Sequence, residues 1–108
     1  MNHERIALLK EYIKEEPENP FNQYALAMEY YELQPLEALE ILETLLNTNP
    51  EYLPTYYKIA HLYWEMESWE KAEKTFASGI QLAEKKNDEK ALGELKASYQ
   101  NFEIDKDS

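Results

Sequence analysis

The chain has no cysteine and no valine, and only two glycines, Gly79 and Gly93. Without cysteine there is no disulfide, no thiolate zinc site and no Cys nucleophile. Such a chain suits a reducing compartment. Its N-terminal stretch, MNHERIALLKEYIKEE, is charged throughout and lacks the apolar core of a secretion signal. The expectation is a cytoplasmic protein. No apolar run approaches the roughly 20 residues that cross a bilayer. The missing valines and scarce glycines argue against strands, which want β-branched residues, and against hairpins, which want glycine turns. Ala, Leu, Glu, Lys and Gln are abundant instead, and these are good helix formers. The expected class is all-α.

Positive charge is also scarce. Eleven Lys/Arg face twenty-two Asp/Glu, a formal net charge of −11. From Glu15 through Tyr57 there are nine glutamates and no Lys or Arg. Binding phosphate needs cations that displace counterions, so nucleic acid and anionic membrane surfaces are excluded as partners. Basic partners are attracted.

The five prolines, at 17, 20, 35, 50 and 54, lie between segments of helical periodicity. Proline is tolerated in the first turn of a helix and breaks its interior, so it punctuates the chain. The pattern predicts six helices, over 3–16, 20–33, 35–47, 52–66, 68–86 and from Asn87 or Asp88 to 102. Asn19 is the N-cap expected for the second and Ser68 for the fifth. Connections this short make neighbouring helices antiparallel. The sixth carries an apolar stripe of Ala91, Leu92, Leu95, Tyr99 and Phe102, spaced by three and four. A frayed tail is expected over 105–108.

The chain also repeats itself. A shift of 33 residues lays Pro17-Glu18 on Pro50-Glu51, Tyr24 on Tyr57, Leu26 on Ile59, Ala27 on Ala60 and Tyr30 on Tyr63. The same shift lays Tyr31 on Trp64, Glu32 on Glu65 and Leu33 on Met66. After one extra residue in the second copy, Ala38 falls on Ala72 and Leu42 on Phe76. The second copy reads Tyr56-x2-Ile59-Ala60-x2-Tyr63, then Ala72-x3-Phe76. The first reads Gln23-x2-Leu26-Ala27-x2-Tyr30, then Ala38-x3-Leu42, then Pro50. This resembles the tetratricopeptide repeat, a helical hairpin of 33–34 residues. Gln23 replaces the usual first aromatic, and Glu84 stands where the second copy should close on Pro.

The resemblance implies antiparallel α-α hairpins stacked as a short right-handed superhelix, in a single domain over 1–104. Repeat one covers 17–49 and repeat two 50–86. A first helix, 3–16, acts as the second half of an upstream repeat, with Ile6, Leu9 and Ile13 facing helix two. A capping helix over 87–103 closes the other end, since no unit buries its apolar faces alone. The alanines at 27, 38, 60 and 72 are small where helices must approach closely.

Residues for catalysis are not evident. There is no Gly-rich phosphate loop, no Gly-x-Ser-x-Gly and no Ser/His/Asp set. His61 and Glu65, four apart, share a helix side, but two ligands fall short of a zinc set. Glu37, Glu40 and Glu43 read as a solvated helix face. No metal and no cofactor are expected, and the chain is not expected to be an enzyme.

Aromatics make up 13% of the residues, more than the repeat seam absorbs. The remainder form a second stripe, which in tetratricopeptide proteins lines the concave, peptide-binding groove. The resemblance carries this role to Tyr24, Met28, Tyr31 and Glu32 in the first copy, and to Tyr57, His61, Trp64 and Glu65 in the second. Phe21 and Pro54 fall near one end. The other reading has the sixth helix fill part of that face, which makes Trp64 and His61 core. The Lys, Asn and Arg that grip a peptide carboxylate in one family subtype are absent from these positions. The expected function is therefore a protein-interaction module for a short apolar and basic peptide segment. The alternative is a self-associating scaffold, a homodimer formed through the same stripe.

Overall fold

The computed structural model describes residues 1–108 and contains six α-helices and no strand. They are α1 (His3–Glu15), α2 (Pro20–Tyr30), α3 (Pro35–Thr48), α4 (Pro54–Glu65), α5 (Trp69–Lys86) and α6 (Glu89–Lys106). The chain forms two compact units, Met1–Thr55 and Tyr56–Ser108. No helix is long and apolar enough to cross a membrane.

Three helix boundaries share one cause. Glu16, Gln34 and Asn49 each precede a proline, whose ring denies the preceding residue the helical conformation. All three adopt nearly the same backbone, φ −133 to −135° and ψ 66 to 69°. Each donates its N–H back to the carbonyl four residues earlier, Tyr12, Tyr30 and Leu45, at 2.7–2.8 Å. Each bond thus satisfies one of the late carbonyls that a helix end leaves without a partner. α2 ends at Tyr30 rather than at the expected Leu33, and a turn over 31–33 leads to Gln34. Likewise α4 opens at Pro54, not Tyr52, because proline's fixed φ suits a first helical position.

The second half of the chain has no proline after Pro54 and stops its helices differently. Glu67 and Asn87 take left-handed backbone, φ 58° and 56°. The next residue in each case donates its N–H across the turn, Ser68 to the Tyr63 carbonyl at 2.8 Å and Asp88 to the Ala83 carbonyl at 3.0 Å. This is the Schellman arrangement. Asparagine tolerates it, whereas glutamate at position 67 costs about 1 kcal/mol more than glycine would. Ser68 stands at the N-cap position of α5, as expected, but its side chain makes no capping hydrogen bond. Asn19 accepts from the Phe21 N–H at 3.1 Å, and Asp88 rather than Asn87 caps α6, accepting from Ala91 at 3.0 Å.

In the first unit α1 packs on α2, and α2 on α3. Ile6, Leu9, Ala25 and Leu26 are buried together, with Ile13, Tyr30 and Ile41 against them. Arg5 of α1 pairs with Glu29 of α2 at 2.9 Å, a surface contact worth at most about 1 kcal/mol. Gln23, where an aromatic is usual, donates instead to the Pro17 carbonyl at 3.2 Å and ties the turn to α2.

In the second unit the centre is aromatic. Phe76 of α5 and Phe102 of α6 are fully buried, with ring centroids 5.4 Å apart. Burying each is worth about 1.5–3 kcal/mol. Leu95 and Phe102 of the α6 stripe are buried, while Ala91, Leu92 and Tyr99 are half-buried. The frayed tail is a correction. α6 continues to Lys106, because Asp105 accepts a hydrogen bond from Trp64 and Lys106 pairs with Glu73 at 2.8 Å. The alanines at 27, 38, 60 and 72 have no exposed surface.

The two glycines of this unit differ in what surrounds them. A methyl at Gly79 would lie 2.9 Å from the Tyr56 Cβ and 3.4 Å from the Leu95 methyls, whereas at Gly93 nothing lies within 4 Å. The Tyr56 Cβ moves only with its backbone, so α5 must shift to admit the methyl. Gly93→Ala should gain about 0.8–1 kcal/mol of helix propensity. Gly79→Ala should lose about 1–2 kcal/mol net, overpacking outweighing the same propensity gain. Urea-denaturation midpoints of the two variants check this; a rise in both would refute the close approach at Gly79.

Candidate functional site

The two copies of the aromatic stripe have different surroundings. In the first unit Phe21, Tyr24, Met28 and Tyr31 follow one another at intervals of three, four and three, one side of α2 and the turn after it. Phe21 is 58% exposed, unusual for a phenylalanine. Tyr24, Met28 and Tyr31 are half-buried and Glu32 is exposed. The Tyr24 ring meets Tyr52 edge to face, centroids 5.8 Å apart. Burial, and Tyr52 beside it, push the Tyr24 phenol above its ordinary range. It remains a neutral hydrogen-bonding group at any physiological pH.

In the second unit Tyr57, His61 and Trp64 form a ladder along α4. Tyr57 and His61 rings lie 4.4 Å apart, and His61 and Trp64 rings 5.4 Å apart. α6 covers part of this ladder. His61 Nε2 and Ser98 Oγ share a hydrogen bond at 3.2 Å, its direction following the imidazole tautomer. Trp64 Nε1 donates to Asp105 Oδ2 at 2.6 Å, and the Trp64 ring meets Phe102 edge to face at 5.5 Å. His61 and Trp64 also touch the ring of Phe76 from α5, at 5.8 and 6.3 Å. Yet Tyr57, His61 and Trp64 are half-buried, not sealed, and Glu65 is exposed.

Next to this ladder lies an open cavity of about 720 Å³, lined by His61, Trp64, Glu65, Glu67, Trp69 and Asp105 among others. The four lining residues outside the stripe, Glu67, Trp69, Asp105 and Ser108, are not predicted by the repeat pattern. Trp69 begins α5, outside the stripe, and Asp105 lies in the tail expected to fray. No three of His, Cys, Asp and Glu gather closely enough to hold a metal ion.

A family profile described as tetratricopeptide repeat matches residues 32–99. The fold is similar to the solution NMR structure of a tetratricopeptide repeat domain protein from Salinibacter ruber, with 36% identity and a TM-score of 0.76. That match covers 82% of this chain and 90% of the other. A crystal structure of a tetratricopeptide repeat domain protein from the same organism is 35% identical with a TM-score of 0.75, covering 79% of this chain and 96% of that one. No curated protein matches the chain.

The position of His61 generates a pH dependence. Burial, and secondarily the nearby Lys58 charge, lower the imidazole pKa below its ordinary value of 6.5. The unfolded chain therefore takes up this proton more readily than the folded one. The stability that neutral His61 contributes is present in full above about pH 6.5 and is lost as pH falls through the lowered folded pKa. Melting temperatures of the native chain and His61→Gln, compared at pH 7.5 and pH 5, should show the native chain losing ground to the variant on acidification. A difference that stays constant would contradict this environment for the imidazole.

Proposed function

Because the chain belongs to the tetratricopeptide repeat family, whose fold generally mediates protein–protein interaction, we propose that it is a non-enzymatic module, acting in the cytoplasm, that binds a short apolar and basic peptide segment. The residues assigned to the partner are Tyr24, Met28, Tyr31 and Glu32 of the first copy, and Tyr57, His61, Trp64 and Glu65 of the second. The observation that carries the reading is Phe21, 58% exposed and in line with half-buried Tyr24 and Met28 on α2. Aromatic side chains with a polar edge bury area at low entropic cost, and methionine adapts to the surface it meets.

Charge supports a basic partner. Met1–Thr55 holds eleven acidic residues against three basic ones, whereas Tyr56–Ser108 holds eleven against eight. The exposed apolar stripe thus belongs to the more acidic unit. That same charge weighs against the self-associating scaffold, since two copies of so acidic a surface repel one another.

Tyr24→Ala should weaken a captured basic peptide partner by about 1–4 kcal/mol while leaving helix content unchanged. Calorimetric titration alongside circular dichroism measures both. Sedimentation at rising concentration covers the homodimer. Unchanged affinity in the variant, or an obligate dimer, would remove the stripe from the binding account.

A further inference from the structure

We propose that the cavity between Trp64 and Trp69 in the second unit binds a guanidinium group, the side chain of an arginine carried by a partner polypeptide. This rests on the reading of the chain as an interaction module, and it names the side chain that this face accepts.

Three of the lining side chains are rings, His61, Trp64 and Trp69. Trp64 and Trp69 both contact the fully buried ring of Phe102, at 5.5 and 5.9 Å, so the indoles flank a single anchored ring. Trp64 is held further by Phe76 and by its N–H donated to Asp105. Side chains fixed in this way lose little freedom when a ligand arrives.

The rim is anionic. Glu65 lies at the end of α4, Glu67 in the turn after it, and Asp105 in the last turn of α6. No lysine or arginine lines the cavity. The nearest in sequence to its α6 edge, Lys106, is engaged with Glu73 at 2.8 Å. Glu67 holds a left-handed backbone that glycine or asparagine adopts more readily, yet it is a carboxylate that occupies the cavity wall there.

Three carboxylates around two indoles call for a cation, and the indoles favour one kind. The carboxylates come from three separate segments and do not converge into a metal-holding group. An extended planar cation meets them better than a point charge. Guanidinium stacks on an indole face, forks to carboxylates and is more weakly hydrated than ammonium, so it loses less on entering. A cavity of about 720 Å³ takes the whole arginine side chain with adjoining peptide backbone.

The chain's two tryptophans both line this cavity, so intrinsic tryptophan fluorescence reports on it alone. The probes are the acetylated, amidated tripeptides Ala-Arg-Ala, Ala-Lys-Ala and Ala-citrulline-Ala, titrated through the millimolar range at low ionic strength. Citrulline keeps the shape of arginine and removes its charge. The arginine peptide should give a saturable change, and citrulline should need roughly five- to thirtyfold more peptide. The double variant Glu65→Gln, Glu67→Gln, at two exposed positions, should weaken the arginine response without lowering the melting temperature. A citrulline response equal to that of arginine, lysine binding as tightly as arginine, an unchanged response in the double variant, or no saturation would each overturn the assignment. A silent arginine titration together with a Tyr24→Ala variant that still loses its partner removes this pocket alone. A saturable titration together with an unaffected Tyr24→Ala variant removes the α2 stripe and leaves the pocket standing.

Discussion

A residue that precedes proline cannot stay helical, and much of this architecture follows from that restriction. At Glu16, Gln34 and Asn49 it forces the same backbone and leaves the N–H pointing back at the preceding turn, so one otherwise orphaned carbonyl is satisfied each time. The next helix then starts within a few residues. α2 and α4, each opened by a proline, have eleven and twelve residues. Tyr24 and Tyr57, Ala27 and Ala60, Tyr30 and Tyr63 consequently occupy equivalent places on helices of equivalent length. Beyond Pro54 the work passes to left-handed residues, Glu67 and Asn87. Those turns depend on hydrogen bonds across the helix end more than on a ring clash, and Glu67 holds its conformation against its own preference.

Equivalent helices do not make equivalent faces. On α2 the stripe ends in an exposed phenylalanine. On α4 the same positions are met by α6 through Ser98, Phe102 and Asp105. The reason is the aromatic pair Phe76 and Phe102. Once Phe102 is buried against Phe76, the rest of α6 has little choice of direction. Its last turn arrives beside Trp64 and Trp69, and the indole N–H finds a carboxylate. What remains uncovered is not a broad apolar surface but a cavity with an anionic rim.

The distribution of what was legible in the sequence follows the range of the interactions. Proline punctuation, the four repeat alanines, Asn19 as a cap, and Ile6, Leu9 and Ile13 facing α2 are local or periodic features, and each appears in the fold as the pattern predicts. The open choice between Asn87 and Asp88 is resolved by backbone chemistry: asparagine takes the left-handed position and aspartate accepts the capping bond. The end of α6 was not legible, because what holds it helical is contact with Trp64 and Glu73, 41 and 33 residues away in sequence. Trp69 was hidden for a related reason. It lies off the repeated stripe, and only the docking of Phe102 brings it to the same cavity as Trp64.

The residues that build the family fold and those that would select a partner are therefore separate sets. Buried alanines, Leu42, Ile59 and Phe76 serve the hairpins and say nothing about a ligand. Selection falls to exposed chemistry, and here its two components act at different stages of binding. On the proposed reading, a surface with eleven acidic residues against three basic ones in its first unit would draw a basic segment in and raise its rate of arrival, an effect that salt screens. Aromatic and methionine contacts would act after arrival and govern how slowly the segment leaves. A partner that is basic but lacks apolar residues would arrive quickly and depart quickly. One that is apolar but neutral would seldom arrive. A ligand with both characters would satisfy both features of this surface, since each of them suits only one.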